Sequence, residues 1–83
     1  MDQINMKIYI LTCVNEDGDV VGVQPFTNQY LARATMDAQY MAERREFEEN
    51  GTLDDDHDYI EGNMAAVGND RYHYVWQIHE REL

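Results

Sequence analysis

Between Leu53 and Asn63 the chain reads LDDDHDYIEGN, placing Asp54, Asp55, Asp56, His57, Asp58 and Glu61 within one short stretch. Residues of these types can ligate a divalent cation, exchange protons as paired carboxylates, or simply present negative charge to a partner. A calcium-binding helix–loop–helix site needs oxygen ligands at loop positions 1, 3 and 5, glycine at 6 and a bidentate glutamate at 12. Counting from Asp54 places Asp56 and Asp58 well, but Tyr59 falls where glycine belongs and Ala65 where glutamate belongs. Counting from Asn50 puts Glu61 at position 12, yet Thr52 at position 3 and Asp55 in the glycine position. Both registers fail at the residues that shape such a loop, so no metal site is assigned. A weak divalent-ion site on this loop is kept only as the least favoured reading.

The histidines give no better ligand set. His73 and His79 share one face of a strand but stand about 20 Å apart at ~3.3 Å per residue, and His57 has no second nitrogen or sulfur close to it in sequence. Nucleophilic catalysis fares similarly. Cys13 is the single cysteine and lies in an apolar run, whereas a reactive thiolate needs positive surroundings. Nucleophile-elbow, phosphate-loop and dinucleotide-fingerprint motifs are absent. The acid–base use of carboxylates needs two of them in contrasting environments, which a solvated run of aspartates does not supply. The sequence therefore reads as non-enzymatic, with no cofactor.

Charge is the most informative global property. Seventeen acidic residues against six basic ones leave a formal net charge of −11 over 83 residues. Between Glu46 and Glu61 there is no lysine or arginine. Such a field repels nucleic acid and anionic membranes and attracts basic surfaces. Direct nucleic-acid binding and membrane association are thus not expected; a basic protein partner is. Glu46 and Glu49 at the end of a helix, followed by Asp54, Asp55, Asp56 and Asp58, are the candidate contact residues. In the sharpest form of this reading they stand in for phosphates, as in an inhibitor of phage or mobile-element type that occupies the groove of a nucleic-acid-binding protein. Tyr72, Tyr74 and Trp76 form a second candidate, an aromatic interface, with core packing as the alternative for the same residues.

The elements that must position these groups follow from periodicity. Met6 to Val14 and Val20 to Phe26 alternate as strands, joined by an Asp-Gly turn in NEDGD. Asn28 to Asn50 carries no glycine or proline and reads as one helix, capped by Thr27 or Asn28 and stopped by Gly51. Leu31, Ala34, Ala38, Met41 and Ala42 form the apolar stripe expected to face the sheet, with Met36, Tyr40 and Phe47 as a second line displaced around the axis. Tyr59 to Val67 is a third strand weakened by Gly62, and Tyr72 to Glu80 the last, with Tyr72, Tyr74, Trp76 and Ile78 on one side.

The expected fold is α+β with order ββαββ: a four-stranded, mainly antiparallel sheet with one long helix packed on one face. Residues 1–83 make a single small domain, with residues 1–5 as a disordered tail. One helix covers one face only, so the alternative function is a small structural or regulatory homodimer that uses the uncovered face. The N-terminus lacks a secretory pattern, and with a lone cysteine the expected location is the cytoplasm.

Overall fold

The computed structural model describes residues 6–82; the expected tail at residues 1–5 lies outside them. Strands β1 (Lys7–Asn15) and β2 (Val20–Phe26) are followed by helix α1 (Gln29–Glu49), a short 3-10 turn (Asp55–His57), and strands β3 (Tyr59–Glu61), β4 (Met64–Gly68) and β5 (His73–Glu82). The strands form one sheet in the order β2-β1-β5-β4-β3, with every pairing antiparallel. The architecture is therefore α+β, as expected, but with five strands rather than four.

The extra strand arises at Gly62. The single strand expected over residues 59–67 folds back on itself through a two-residue loop, Gly62–Asn63, so that Glu61 pairs with Met64. Gly62 has φ +58°, the left-handed value that the first loop position of a tight hairpin turn requires and that glycine adopts without steric cost. A second glycine is demanded by space. Gly68 has φ +136°, and a Cβ on it would collide with the Tyr72 carbonyl oxygen and with His73. That close approach lets β4 turn into β5, where Asn69 Oδ1 accepts from the backbone N–H of Arg71 and Tyr72 at 2.9 Å each. Tyr72 consequently sits in the turn and β5 begins one residue later.

At the other hairpin, Asn15 Oδ1 accepts from the Asp17 and Asp19 N–H groups, which closes the expected Asp-Gly turn. A bulge between Cys13 and Val14 shifts the β1–β2 register. Asn28 caps α1 through its side chain, which accepts from the Tyr30 N–H at 2.7 Å.

The helix is turned the other way from expectation. Ala32, Met36 and Tyr40 are buried and Phe47 packs against the same core, whereas Leu31 and Met41 remain 57% and 51% exposed and Ala34, Ala38 and Ala42 are exposed beside them. At 100° per residue the two stripes lie on opposite sides of the axis. The displaced line wins because its side chains are larger: Met36, Tyr40 and Phe47 remove more apolar area from water than an alanine row. It also offers Tyr40 an edge-on contact with Trp76, with ring centroids 6.3 Å apart at 81°. Leu11, Cys13, Ala65, Val67, Trp76 and Ile78 complete the core from the sheet side. The opposite sheet face carries Ile8, Ile10, Thr12 and Val14 with their β5 partners, and none of the described elements covers it.

The two stripes make opposite expectations for two methionines. Met36→Ala should cost about 2–4 kcal/mol of unfolding free energy, while Met41→Ala should stay within ~0.5 kcal/mol. Urea denaturation followed by circular dichroism measures both; equal losses would contradict the observed facing of α1.

Candidate acidic and aromatic interaction site

The candidate acidic residues separate into three groups. Asp58 is committed to the interior of the molecule. Its carboxylate accepts from the Tyr40 hydroxyl and from Arg44 Nε at 2.9 Å, and its side chain is only 12% exposed. Arg44 also pairs with Glu48 one turn along. Burial, followed by the hydrogen bond to Asp58, pushes the Tyr40 phenol up to about 12. Asp58 fixes the loop against the helix rather than presenting charge to solvent.

Asp54, Asp55 and Asp56 belong to the 3-10 turn. Asp54 caps it, accepting from the Asp56 N–H at 3.0 Å, and Asp55 and Asp56 are exposed. The sequence places no second nitrogen near His57, but the fold does: its ring stacks on His73, with centroids 5.5 Å apart and planes 8° from parallel. His57 Nε2 lies 2.5 Å from Asp70 Oδ1. Asp54, His57 and Asp70 bring one ligand atom each within 4.8 Å of one another, a mixed nitrogen and oxygen set of the kind a divalent transition metal accepts. Within the protein these atoms already serve one another and the turn backbone.

Glu46 belongs to the third group, and this one forms a concave site. A groove of about 470 Å³ opens between the C-terminal half of α1, the β1–β2 turn and the start of β5, lined by Glu16, Glu43, Glu46, Phe47, Asn50, Thr52, Tyr72 and Tyr74. Its size falls in the ~300–1,000 Å³ range of ligand pockets. Helical spacing explains part of the set, since positions 43, 46, 47 and 50 share one face. Strand register explains another part: Asn15 pairs with Tyr74, which brings Glu16 beside an aromatic ring almost sixty positions later. The Asn69 side chain donates to the Thr52 carbonyl at 2.8 Å, tying the post-helix loop to the turn that carries Tyr72. Glu49 lies outside the groove and is exposed.

Three carboxylates converge here and none of the lining residues is basic. Burial, then the charge of Glu46, raises the Glu43 carboxyl above its usual range. Burial, then Glu43 and Glu16, raises the Tyr74 phenol. In both cases burial is the larger cause, and the neighbouring carboxylates push in the same direction. Of the candidate aromatics, Tyr72 is exposed and Tyr74 lines the groove, but Trp76 is 1% exposed and donates its indole N–H to Gln39 Oε1 at 3.0 Å. Trp76 is a core residue and leaves the aromatic surface to the two tyrosines. Nothing in local spacing singles out Glu16 or Glu43: Glu16 is remote from the acidic run, and Glu43 precedes it by three residues and is followed by Arg44 and Arg45.

Cys13 lies under this region. Burial, then Glu43, pushes its thiol up from 9.0 to about 11, which is opposite to the shift a nucleophile needs. Among the described residues no helix is long and apolar enough to cross a membrane. Comparison with protein-family models, curated proteins and solved structures finds no match for this chain.

Two outcomes are expected from these environments. Cys13 should react with a thiol reagent at pH 8 on the order of 100-fold or more slower than a free cysteine, followed by absorbance of the released thiolate; reaction at the free rate would contradict its placement. For Tyr40, a phenol pKa raised on folding contributes stability that is complete below pH ~10 and is lost as pH rises through about 12. Wild type should therefore lose more stability than Tyr40→Phe between these limits in chemical denaturation, and identical pH profiles would overturn the assignment.

Proposed function

We propose that the protein is a non-enzymatic interaction module that docks a basic partner by taking lysine or arginine side chains into the groove of Glu16, Glu43, Glu46, Tyr72 and Tyr74. The observation that carries this reading is the convergence of three glutamates and two tyrosines from three separate elements, with no basic residue among them. A cation entering the groove meets carboxylates on one side and the negative faces of aromatic rings on the other, and each contact adds roughly 0.5–1 kcal/mol at a partly exposed site. A basic side chain also supplies the counter-charge that Glu43 lacks. The overall charge of −11 speeds encounter with a positively charged surface before docking.

The narrower form of the reading takes the partner to be a nucleic-acid-binding protein and the carboxylates to stand where phosphates would. The acidic run without lysine or arginine from Glu46 to Glu61 supports it, since Asp55 and Asp56 within it remain exposed. Displacement of the protein by DNA from a nucleic-acid-binding partner separates this form from general recognition of basic peptides.

The test is a titration of a lysine- and arginine-rich peptide followed by calorimetry at several salt concentrations. Glu43→Gln/Glu46→Gln should weaken binding about tenfold, ~1.4 kcal/mol, and flatten the salt dependence. The same variant should not lose stability. A carboxyl whose pKa is raised on folding opposes folding at pH above that pKa, so neutralising Glu43 relieves a cost. Asp55→Asn/Asp56→Asn serves as the control of equal charge change. Equal weakening by both pairs would leave only non-specific attraction and contradict the groove.

A further inference from the structure

We propose that the uncovered sheet face is a homodimer interface and that its occupant is a second copy of this chain, packed face to face. This goes beyond the groove, which lies on the helix side of the sheet, and does not depend on it. Strand register defines the surface. Val14 pairs with Val20 on one side and Val75 on the other, Val75 pairs with Ala66, and Ala66 pairs with Tyr59. Paired residues point to the same face of a sheet, so Val20, Val14, Val75, Ala66 and Tyr59 form one apolar row across all five strands. None of them belongs to the cluster under the helix; Ala66 is already buried within the chain, and Val20 and Tyr59 at the two ends of the row are exposed. Ile8, Ile10 and Val23 extend the apolar surface along β1 and β2, and Val20 and Val23 are 59% and 64% exposed.

Charge selects the partner. The chain carries −11, so two copies repel through most of their surfaces. The face behind the helix is the exception: among its paired positions the charged side chains are Glu61 and Arg81, of opposite sign and toward the ends of their strands. Near its middle, Thr12 and His79 satisfy one another through a 3.2 Å hydrogen bond, which leaves less polar demand to meet on burial. A second copy brings the same neutral, apolar surface and keeps both acidic sides pointing outward into solvent. A basic partner would gain nothing from charge here. Stacked sheets pack about 10 Å apart with their inner faces interdigitated, and a continuous apolar row across the strands suits that arrangement.

Area is sufficient. Five strands at ~4.8 Å spacing and ~3.4 Å per residue, the longest of ten residues, present a face on the order of 600 Å². Specific interfaces bury about 600–1,000 Å² per partner.

Sedimentation equilibrium of the whole chain across the micromolar range is the test. Wild type should sediment at twice the chain mass, and Val20→Glu/Val23→Glu should weaken dimerisation at least tenfold with an unchanged circular dichroism spectrum. Tyr59→Glu, on the far edge of the same row, should act alike and keeps the test decisive if the double variant does not fold. Met41→Glu, on the outer side of the helix, should leave the dimer intact. A wild-type monomer throughout the range would overturn the proposal. So would a dimer unaffected by the row variants, or one broken by Met41→Glu.

Discussion

The carboxylate of Asp58 is the point on which the rest of the arrangement depends. It accepts from Tyr40 and from Arg44, both on the helix, and so anchors the loop that leaves α1 to the face that the helix has just buried. Tyr40 meets Trp76 on the other side, so one chain of contacts runs from a loop through the helix to the central strand β5. Every described buried polar side-chain atom has a partner, and in so small a core each of these contacts is a large fraction of net stability. With the loop held, Thr52 and Asn69 join, the β4–β5 turn is positioned, and Tyr72 comes over the groove.

This constraint divides the acidic residues by role. Asp58 is spent on structure, where its charge is answered by Arg44. Asp54 terminates a turn. The unanswered carboxylates are elsewhere, at Glu16, Glu43 and Glu46, where burial and mutual repulsion raise a glutamate and a tyrosine together. A chain that concentrates negative charge without local compensation sacrifices some stability for it.

Much of the fold was legible in the sequence. The Asp-Gly turn, the unbroken helix ending at Gly51 and the strict alternation from Tyr72 onward each specify one local geometry. The failures have particular causes. Two apolar lines on α1, Leu31-Ala34-Ala38-Met41-Ala42 and Ala32-Met36-Tyr40-Phe47, have the same helical period, and periodicity alone does not say which one is buried. Side-chain volume and the partners Trp76 and Asp58 decide it. Gly62 was visible as a weak point in a strand, but the decision to reverse there rests on pairing with β4. The groove was least legible of all. Glu16 and Tyr74 become neighbours only through the β1–β5 register, and Glu43 becomes significant only once α1 is turned to bury Met36. Local spacing highlighted the dense aspartate run instead, because it is contiguous.

The proposed receptor for basic side chains is formed by Glu16, Glu43, Glu46, Tyr72 and Tyr74. Chemical-shift mapping of the isotope-labelled protein, titrated with an arginine-rich peptide, tests it most directly. Docking in the groove gives the largest and saturable shifts at Glu43, Glu46, Phe47, Tyr72 and Tyr74, with small ones from Asp54 to Asp56. Shifts confined to the aspartate turn, or spread evenly over every acidic residue, would contradict it.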